Sequence, residues 1–365
     1  MRGTITHPSP ISSNLPSQSG SDYLPPGSVL LPLRLIVGWT YFSAFWRRMV
    51  LENKLDPDAA GYIGEKFNHF LPNALFIKPQ IEFFVSNPDL LWWKLLAFTI
   101  VEGIVGLCLM LGVMTRIMGI ATSLLALGIL LGAGWLGTTC LDEWQIGILG
   151  IGSGIAFAWA GGGRYSADQK IFDRFLSPSC TAEPAASKWR RFLRWSFDPN
   201  PIFQRRMGLQ IIAITVISFG LTLYTNQVFH HGVWGKLKNM SVSPKVELSD
   251  AKIQSGELSV QLYRTEGADV YGSFAIEIRV VDVDGSLLAN WDGETLAKLS
   301  PESIENRYVA KIKPGKHSLV LPLGAKGTIK LRDPRLAMAS QPSLRVELVD
   351  VSGAQWSAPV QVFRN

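Results

Sequence analysis

The sequence predicts a helical membrane domain of four spans plus a fifth transmembrane helix, followed by an all-β domain of immunoglobulin-like sandwich type. Three observations carry this. Four apolar segments in the first half, 29–46, 93–111, 117–135 and 144–160, each approach the roughly 20 helical residues that cross a 30 Å hydrocarbon core. A fifth apolar run, 207–229, joins the halves. From residue 230 onward, polar and apolar residues alternate as in half-buried strands.

The domain boundaries follow from these shifts in composition. Residues 1–28, rich in Ser, Pro and Gly and without the layout of a cleavable secretory signal, are expected to be a disordered tail. Residues 29–163 form the four-helix membrane domain, 164–206 a basic loop, 207–229 the fifth span and 230–365 the β domain. The net charge of +6 matters less than its placement. The loop holds Arg164, Lys170, Arg174, Lys188, Arg190, Arg191, Arg194, Arg205 and Arg206, against Asp168, Asp173, Glu183 and Asp198. Such a loop between spans marks the cytoplasmic side and favours anionic lipid. No recognition motif accompanies the charge, so nucleic acid is not expected as a partner.

That anchor sets the topology. The N-terminus is inside, the 47–91 loop and the loop at Cys140 are outside, and the fifth helix delivers the β domain to the outer face of a prokaryotic inner membrane. Arg47, Arg48, Lys54, Lys66 and Lys78 in the first outer loop oppose this assignment, but the 164–206 cluster is larger. Cys108 falls near the inner end of the second span and Cys180 in the cytosol, so no two of the three cysteines are placed for a disulfide.

The outer loop is too long for a plain connection. It should form short helices over the bundle mouth, broken near Pro72, Pro79 and Pro88. Trp46, Trp92, Trp93, Trp135 and Trp144 fall at outer helix ends, as an interfacial belt would. Gly128 and Gly132 in the third span, with Gly150 and Gly154 in the fourth, suit close helix contact in lipid. The glycines at 150, 152 and 154 lack the spacing and the preceding strand of a nucleotide fingerprint. Gly161 to Gly163 should cap the fourth span. Strands are expected at 259–263, 274–283, 317–321, 328–331 and 344–351. Two near-identical corners, Val-Asp-Val-Asp-Gly at 281–285 and Val-Asp-Val-Ser-Gly at 349–353, should turn hairpins.

Glu102 is the acid that needs a reason, since an isolated acid at mid-membrane costs roughly 2.5–3.5 kcal/mol on insertion scales. Either it pairs with a basic residue and fixes helix packing, or it lines a polar cavity and exchanges a proton. Arg34 is the expected partner by helix depth, and Arg116 at the inner turn is the other candidate. At the outer mouth, Arg47 and Arg48 could bind an oxyanion or simply meet headgroups. Cys140, beside Asp142 and Glu143, is either a nucleophilic thiol or a plain loop cysteine. No haem or cluster cysteine motif is present, and His69, His230, His231 and His317 show no metal-ligand spacing, so no metal, haem or flavin is expected.

The bundle resembles the DoxX/DoxD family. The likeness rests on Arg34-Leu-Ile-Val-Gly38-Trp39, Glu102, the turn Leu111-Gly-Val-Met-Thr-Arg116, Gly162-Gly-Arg-Tyr-Ser166 and Gly137-Thr-Thr-Cys140-Leu-Asp142-Glu143-Trp144-Gln145. The β half, from Val233-Trp-Gly-Lys-Leu-Lys, is similar to DoxA. The resemblance implies a fused thiosulfate:quinone oxidoreductase that joins two thiosulfates into tetrathionate and passes electrons to a membrane quinone. The resemblance fixes no catalytic residue; for that activity the residues read above would serve, with Cys140 and Glu102 as catalytic residues, Arg47 and Arg48 for substrate, and Arg34, Glu102 and Arg116 around quinone. A non-catalytic membrane platform or an anion carrier would use the same features, and the sequence leaves room for a homo-oligomer.

Overall fold

The computed structural model describes residues 24–59, 61–133, 142–176, 187–202, 207–231, 233–235, 243–267, 273–338 and 343–363. The N-terminal tail through residue 23, Trp135, Cys140 and Cys180 lie outside the described residues.

Helix α1, Leu31–Trp46, continues directly into a π-helical turn, Arg47–Leu51. The outer loop then folds as expected into two short helices, α2 (Ile63–Phe70) and α3 (Lys78–Val85). Pro79 sits in the first turn of α3, and Pro88 in the first turn of α4, where a missing N–H costs nothing. Helices α4 (Pro88–Leu111), α5 (Thr115–Ala133) and α6 (Asp142–Ala160) complete the bundle. Short α7 (Ala167–Ile171) and α8 (Lys188–Phe197) follow, then α9 (Met207–His230). Among the described residues, three helical stretches are long and apolar enough to cross a membrane: Pro88–Leu111, Thr115–Ala133 and Met207–Val228. Trp144–Ala160 is a shorter apolar helix.

Close helix contact comes from glycine, though not always from the expected ones. A Cβ on Gly106 would lie 2.5 Å from the Gly38 carbonyl oxygen, so α1 and α4 touch backbone to backbone. Gly154 meets Gly119 of α5 in the same way, at 2.4 Å, and Gly150 faces Ala126. Gly128 faces open space, and Gly132 faces Phe70 of α2. Gly161, at φ +70°, caps α6 as expected. α9 runs antiparallel to α6: Trp159 Nε1 donates to Gln210 near one end, and Trp144 Nε1 to Thr225 Oγ1 near the other.

The C-terminal domain is all β. Strands β1 (Lys245–Gln254), β2 (Glu257–Glu266), β3 (Ser273–Val281), β4 (Leu287–Asp292), β5 (Ile304–Asn306), β6 (Lys313–Pro314), β7 (Leu319–Leu321), β8 (Lys326–Arg332), β9 (Leu344–Asp350) and β10 (Gln355–Phe363) are described. The order is β5-β8-β2-β1-β10-β9-β3-β7-β6, with β4 on β3. Parallel pairing of β1 with β10 connects what would otherwise be two sheets, giving one nearly closed, barrel-like path. Both repeated corners are hairpin turns, with Gly285 at φ +80° and Gly353 at φ +84°. Leu258, Val260, Leu262, Ile278, Val280, Ile329, Val346 and Leu348 fill the core.

This domain is seated on the outer-loop cap. Asn68 of α2 is fully buried: its Nδ2 donates to the Gly324 carbonyl at 2.8 Å, and its Oδ1 accepts from Ala310 N at 3.2 Å. Tyr308 Oη donates to Glu82 Oε1 of α3 at 2.7 Å. Tyr308 also joins Leu55, Leu71, Ile81, Val85, Leu91 and Leu95 in one apolar cluster. The β domain and the 47–87 cap therefore share one end of the bundle.

Candidate functional site

The glycine contacts fix the register of α1 on α4. Phe42 lies against Gly106 and Phe45 against Gly103, while Arg34 lies level with Gly112. The π turn extends α1 by one more turn and brings Arg48 over Glu102. Arg48 Nη1 donates to Glu102 Oε2, and Glu102 is 3 % exposed. The Arg48 side chain keeps 20 % exposure, which leaves the pair open on one side. Arg47 stays at the surface, donating from Nε to the Ser43 carbonyl at 3.3 Å, close enough to act on Glu102 electrostatically. One turn along α4, Thr99 is buried, and its hydroxyl has no hydrogen-bond partner. Tyr41 is also buried, its hydroxyl 3.5 Å from the Thr122 carbonyl.

The expected Glu102–Arg34 pair is thus replaced by Glu102–Arg48. Phe45 is level with Gly103, so Arg34 lies about ten residues along α4 from Glu102, a separation of roughly 15 Å at 1.5 Å per residue. The cause is that α4 begins at Pro88 and its first turns pack into the cap instead of facing α1.

Arg34 and Arg116 belong to the opposite end, so the three residues assigned to quinone do not form one site. Arg34 Nη1 donates to the Gly162 carbonyl at 2.6 Å and Nη2 to the Tyr165 carbonyl at 2.7 Å. Arg116 donates to the Asn200 carbonyl, lies 4.0 Å from Asp198 and stacks its guanidinium 5.8 Å from the Trp195 ring. Asp168, fully buried between them, accepts from Met114 N at 2.7 Å and Thr115 N at 2.9 Å, capping the start of α5. Burial pushes the Asp168 carboxyl up, against the opposing pull of the Thr115 and Met114 hydrogen bonds and the Arg34 charge. Asp168 and Asp198 carry a signal that sequence reasoning passed over: they are two of only four acids in a strongly basic loop, and two arginines at the inner helix ends needed counter-charges.

Asp142 lies in the first turn of α6. Cys108 is a free thiol in the C-terminal half of α4. Trp46 and Trp93 are exposed, as an interfacial belt requires, whereas Trp144 holds α9. Among the described residues, no three His, Cys, Asp or Glu side chains cluster as a metal site would.

A charge pair on a helix apolar enough to cross a membrane, next to a cap on which a β domain is seated, defines a polytopic helical domain joined to a β domain. Residues 29–181 match the DoxD family, described as TQO small subunit DoxD, and residues 229–359 match the DoxA family, described as TQO small subunit DoxA. The chain belongs to both: it is a DoxD domain fused to a DoxA domain, the two subunit domains of a thiosulfate:quinone oxidoreductase. A solved flagellar-like filament is also similar, at 13 % identity over 42 % of this chain and 97 % of the filament chain, but its TM-score of 0.22 carries no argument.

Proposed function

We propose that the chain acts as a thiosulfate:quinone oxidoreductase. In this reading α1, α4, α5 and α6 form a four-helix bundle in a prokaryotic inner membrane, α9 is the fifth span, and the immunoglobulin-like β domain sits on the periplasmic face. The observation that carries it is the pair of Glu102, buried in α4, with Arg48 of the π turn, next to the cap that holds the β domain.

Two thiosulfates each lose one electron as their outer sulfurs join into tetrathionate, and the quinone takes both electrons with two protons. Arg47 and Arg48 draw the dianion to the mouth. Cys140, outside the described residues, forms a sulfur–sulfur bond with the first thiosulfate as two electrons leave for the quinone. The second thiosulfate attacks the sulfur bonded to Cys140, which breaks that sulfur–sulfur bond, releases tetrathionate and expels the Cys140 thiolate. Quinone enters from lipid. The orphaned Thr99 hydroxyl fits one carbonyl oxygen, and Glu102 passes a proton to the reduced ring. Arg48 takes the place first assigned to Arg34 and Arg116.

The test is purified full-length protein with thiosulfate and a soluble quinone. One tetrathionate per quinol is expected. Folded protein that yields neither product would favour a platform, and thiosulfate uptake into sealed vesicles without redox change would favour a carrier. Glu102→Gln should lower kcat for quinone more than it raises the thiosulfate KM, and Cys140→Ser should abolish turnover.

A further inference from the structure

Helix α8 is not used by the reaction proposed above, and its surface is unusual. The sequence Lys-Trp-Arg-Arg-Phe-Leu-Arg-Trp-Ser-Phe turns its small residue, Ser196, and half-buried Leu193 and Trp195 toward the protein. Lys188, Trp189, Arg191 and Phe192, in the first turns of the helix, are exposed, as is Arg194. Trp189 is 66 % exposed and stacks on Phe192 with ring centroids 5.5 Å apart. An aqueous surface does not favour an indole presented this way, whereas a bilayer interface does: aromatic rings settle at the headgroup level with basic side chains around them.

The position of α8 matches that environment. It lies between the end of α6 and the start of α9, two apolar helices that Trp159 and Gln210 hold together at this end. It is tied there rather than tethered: Arg116 of α5 stacks on Trp195, Arg194 stacks on Phe172, Gly163 N donates to the Pro199 carbonyl, and Ile202 N donates to the Trp159 carbonyl. A helix fixed in this way, with Lys188, Arg191 and two aromatic rings exposed, is complementary in charge and polarity to an anionic leaflet.

We propose that α8 is an interfacial lipid-binding helix whose Lys188 and Arg191 engage anionic headgroups while Trp189 and Phe192 insert between them. Each basic residue near an anionic surface contributes about a fivefold factor to association. Losing two should therefore weaken it about 30-fold, more at low salt than at high salt.

The experiment is hydrogen exchange across residues 187–202 of the full chain in nanodiscs of phosphatidylcholine alone or with one-third phosphatidylglycerol. Exchange should be slower in the anionic discs. The double variant Lys188→Gln, Arg191→Gln should remove that difference, with exchange rising by up to about 30-fold. Arg191→Lys should retain the difference, and Trp189→Ser should weaken protection at every salt concentration. Unchanged exchange in β2 and β9 identifies variants that remain folded. Equal protection in the two lipids, or the same protection in lipid-free micelles, would overturn the proposal and assign this face to packing within the protein.

Discussion

Removing Arg48 while keeping its stem, as in Arg48→Met, leaves the Glu102 carboxylate buried without the cation that, among the described residues, hydrogen-bonds to it. Breaking a fully buried pair costs about 3–5 kcal/mol, because the remaining charge is uncompensated. One-fifth of the Arg48 side chain meets solvent, so water screens part of that loss and the lower end, about 3 kcal/mol, applies. Removing both charges, as in Arg48→Met with Glu102→Gln, abolishes the stranded carboxylate and should restore most of the stability. A coupling of about 2 kcal/mol between the two sites follows. Arg34 is the control. It lies level with Gly112, about ten residues along α4 from Glu102 and roughly 15 Å away, so Arg34→Met and Glu102→Gln should be additive. Equilibrium unfolding of the full chain in mixed micelles measures all three. An Arg48→Met cost below about 0.5 kcal/mol, or coupling of Glu102 to Arg34 in place of Arg48, would refute the register on which the site is built.

Three further outcomes test the frame around the pair. Gly106→Ala places a Cβ 2.4 Å from Phe42 N and should cost about 1–3 kcal/mol through helix separation, whereas Gly128→Ala, facing open space, should be neutral or slightly stabilising; unfolding midpoints separate the two. Asn68→Leu strands the Gly324 carbonyl and the Ala310 N–H, at about 1–3 kcal/mol per buried group, and should speed hydrogen exchange over 308–325 while leaving β2 and β9 unchanged; an unaltered 308–325 segment would mean that the β domain is held elsewhere. Asp350 gives the pH dependence. Burial alone would raise its pKa, but hydrogen bonds from Ser273, Ser352 and Phe274 outweigh it and hold the carboxyl below the usual range. Its contribution is therefore present above the unfolded-state value of about 3.9 and lost as pH falls through the depressed folded value. Exchange at the β3–β9 corner should rise below about pH 4, and Asp350→Asn should flatten that rise.

What the sequence makes legible is whatever repeats or stands out locally. The apolar runs are visible because each side chain contributes to them independently, and Glu102 is visible because it interrupts one. The corners at 281–285 and 349–353 announce themselves through Gly at positive φ. β1 is harder to see: its alternation breaks at a bulge between Ser249 and Lys252, where Asp250 adopts φ +51°. β10 contains Pro359 and reads as an edge or a loop. Its parallel partnership with β1 joins segments more than 100 residues apart, and no local pattern encodes that.

The partner of Glu102 was hidden for a related reason. Which arginine reaches it depends on how far α4 slides along α1, and that is set by contact between Gly38 and Gly106, not by where either apolar run starts. A slide of one turn moves a side chain about 5.4 Å, the difference between an ion pair and none. The same contact places Arg34 beside Gly112, within reach of the Gly162 and Tyr165 carbonyls, and so commits it to closing the end of the bundle away from the cap. One pair of small residues therefore sorts the basic side chains of α1 into a structural arginine at one end and a reactive candidate at the other. Enlarging either glycine should disturb both ends of the bundle together, an effect that a local defect at Glu102 alone would not produce.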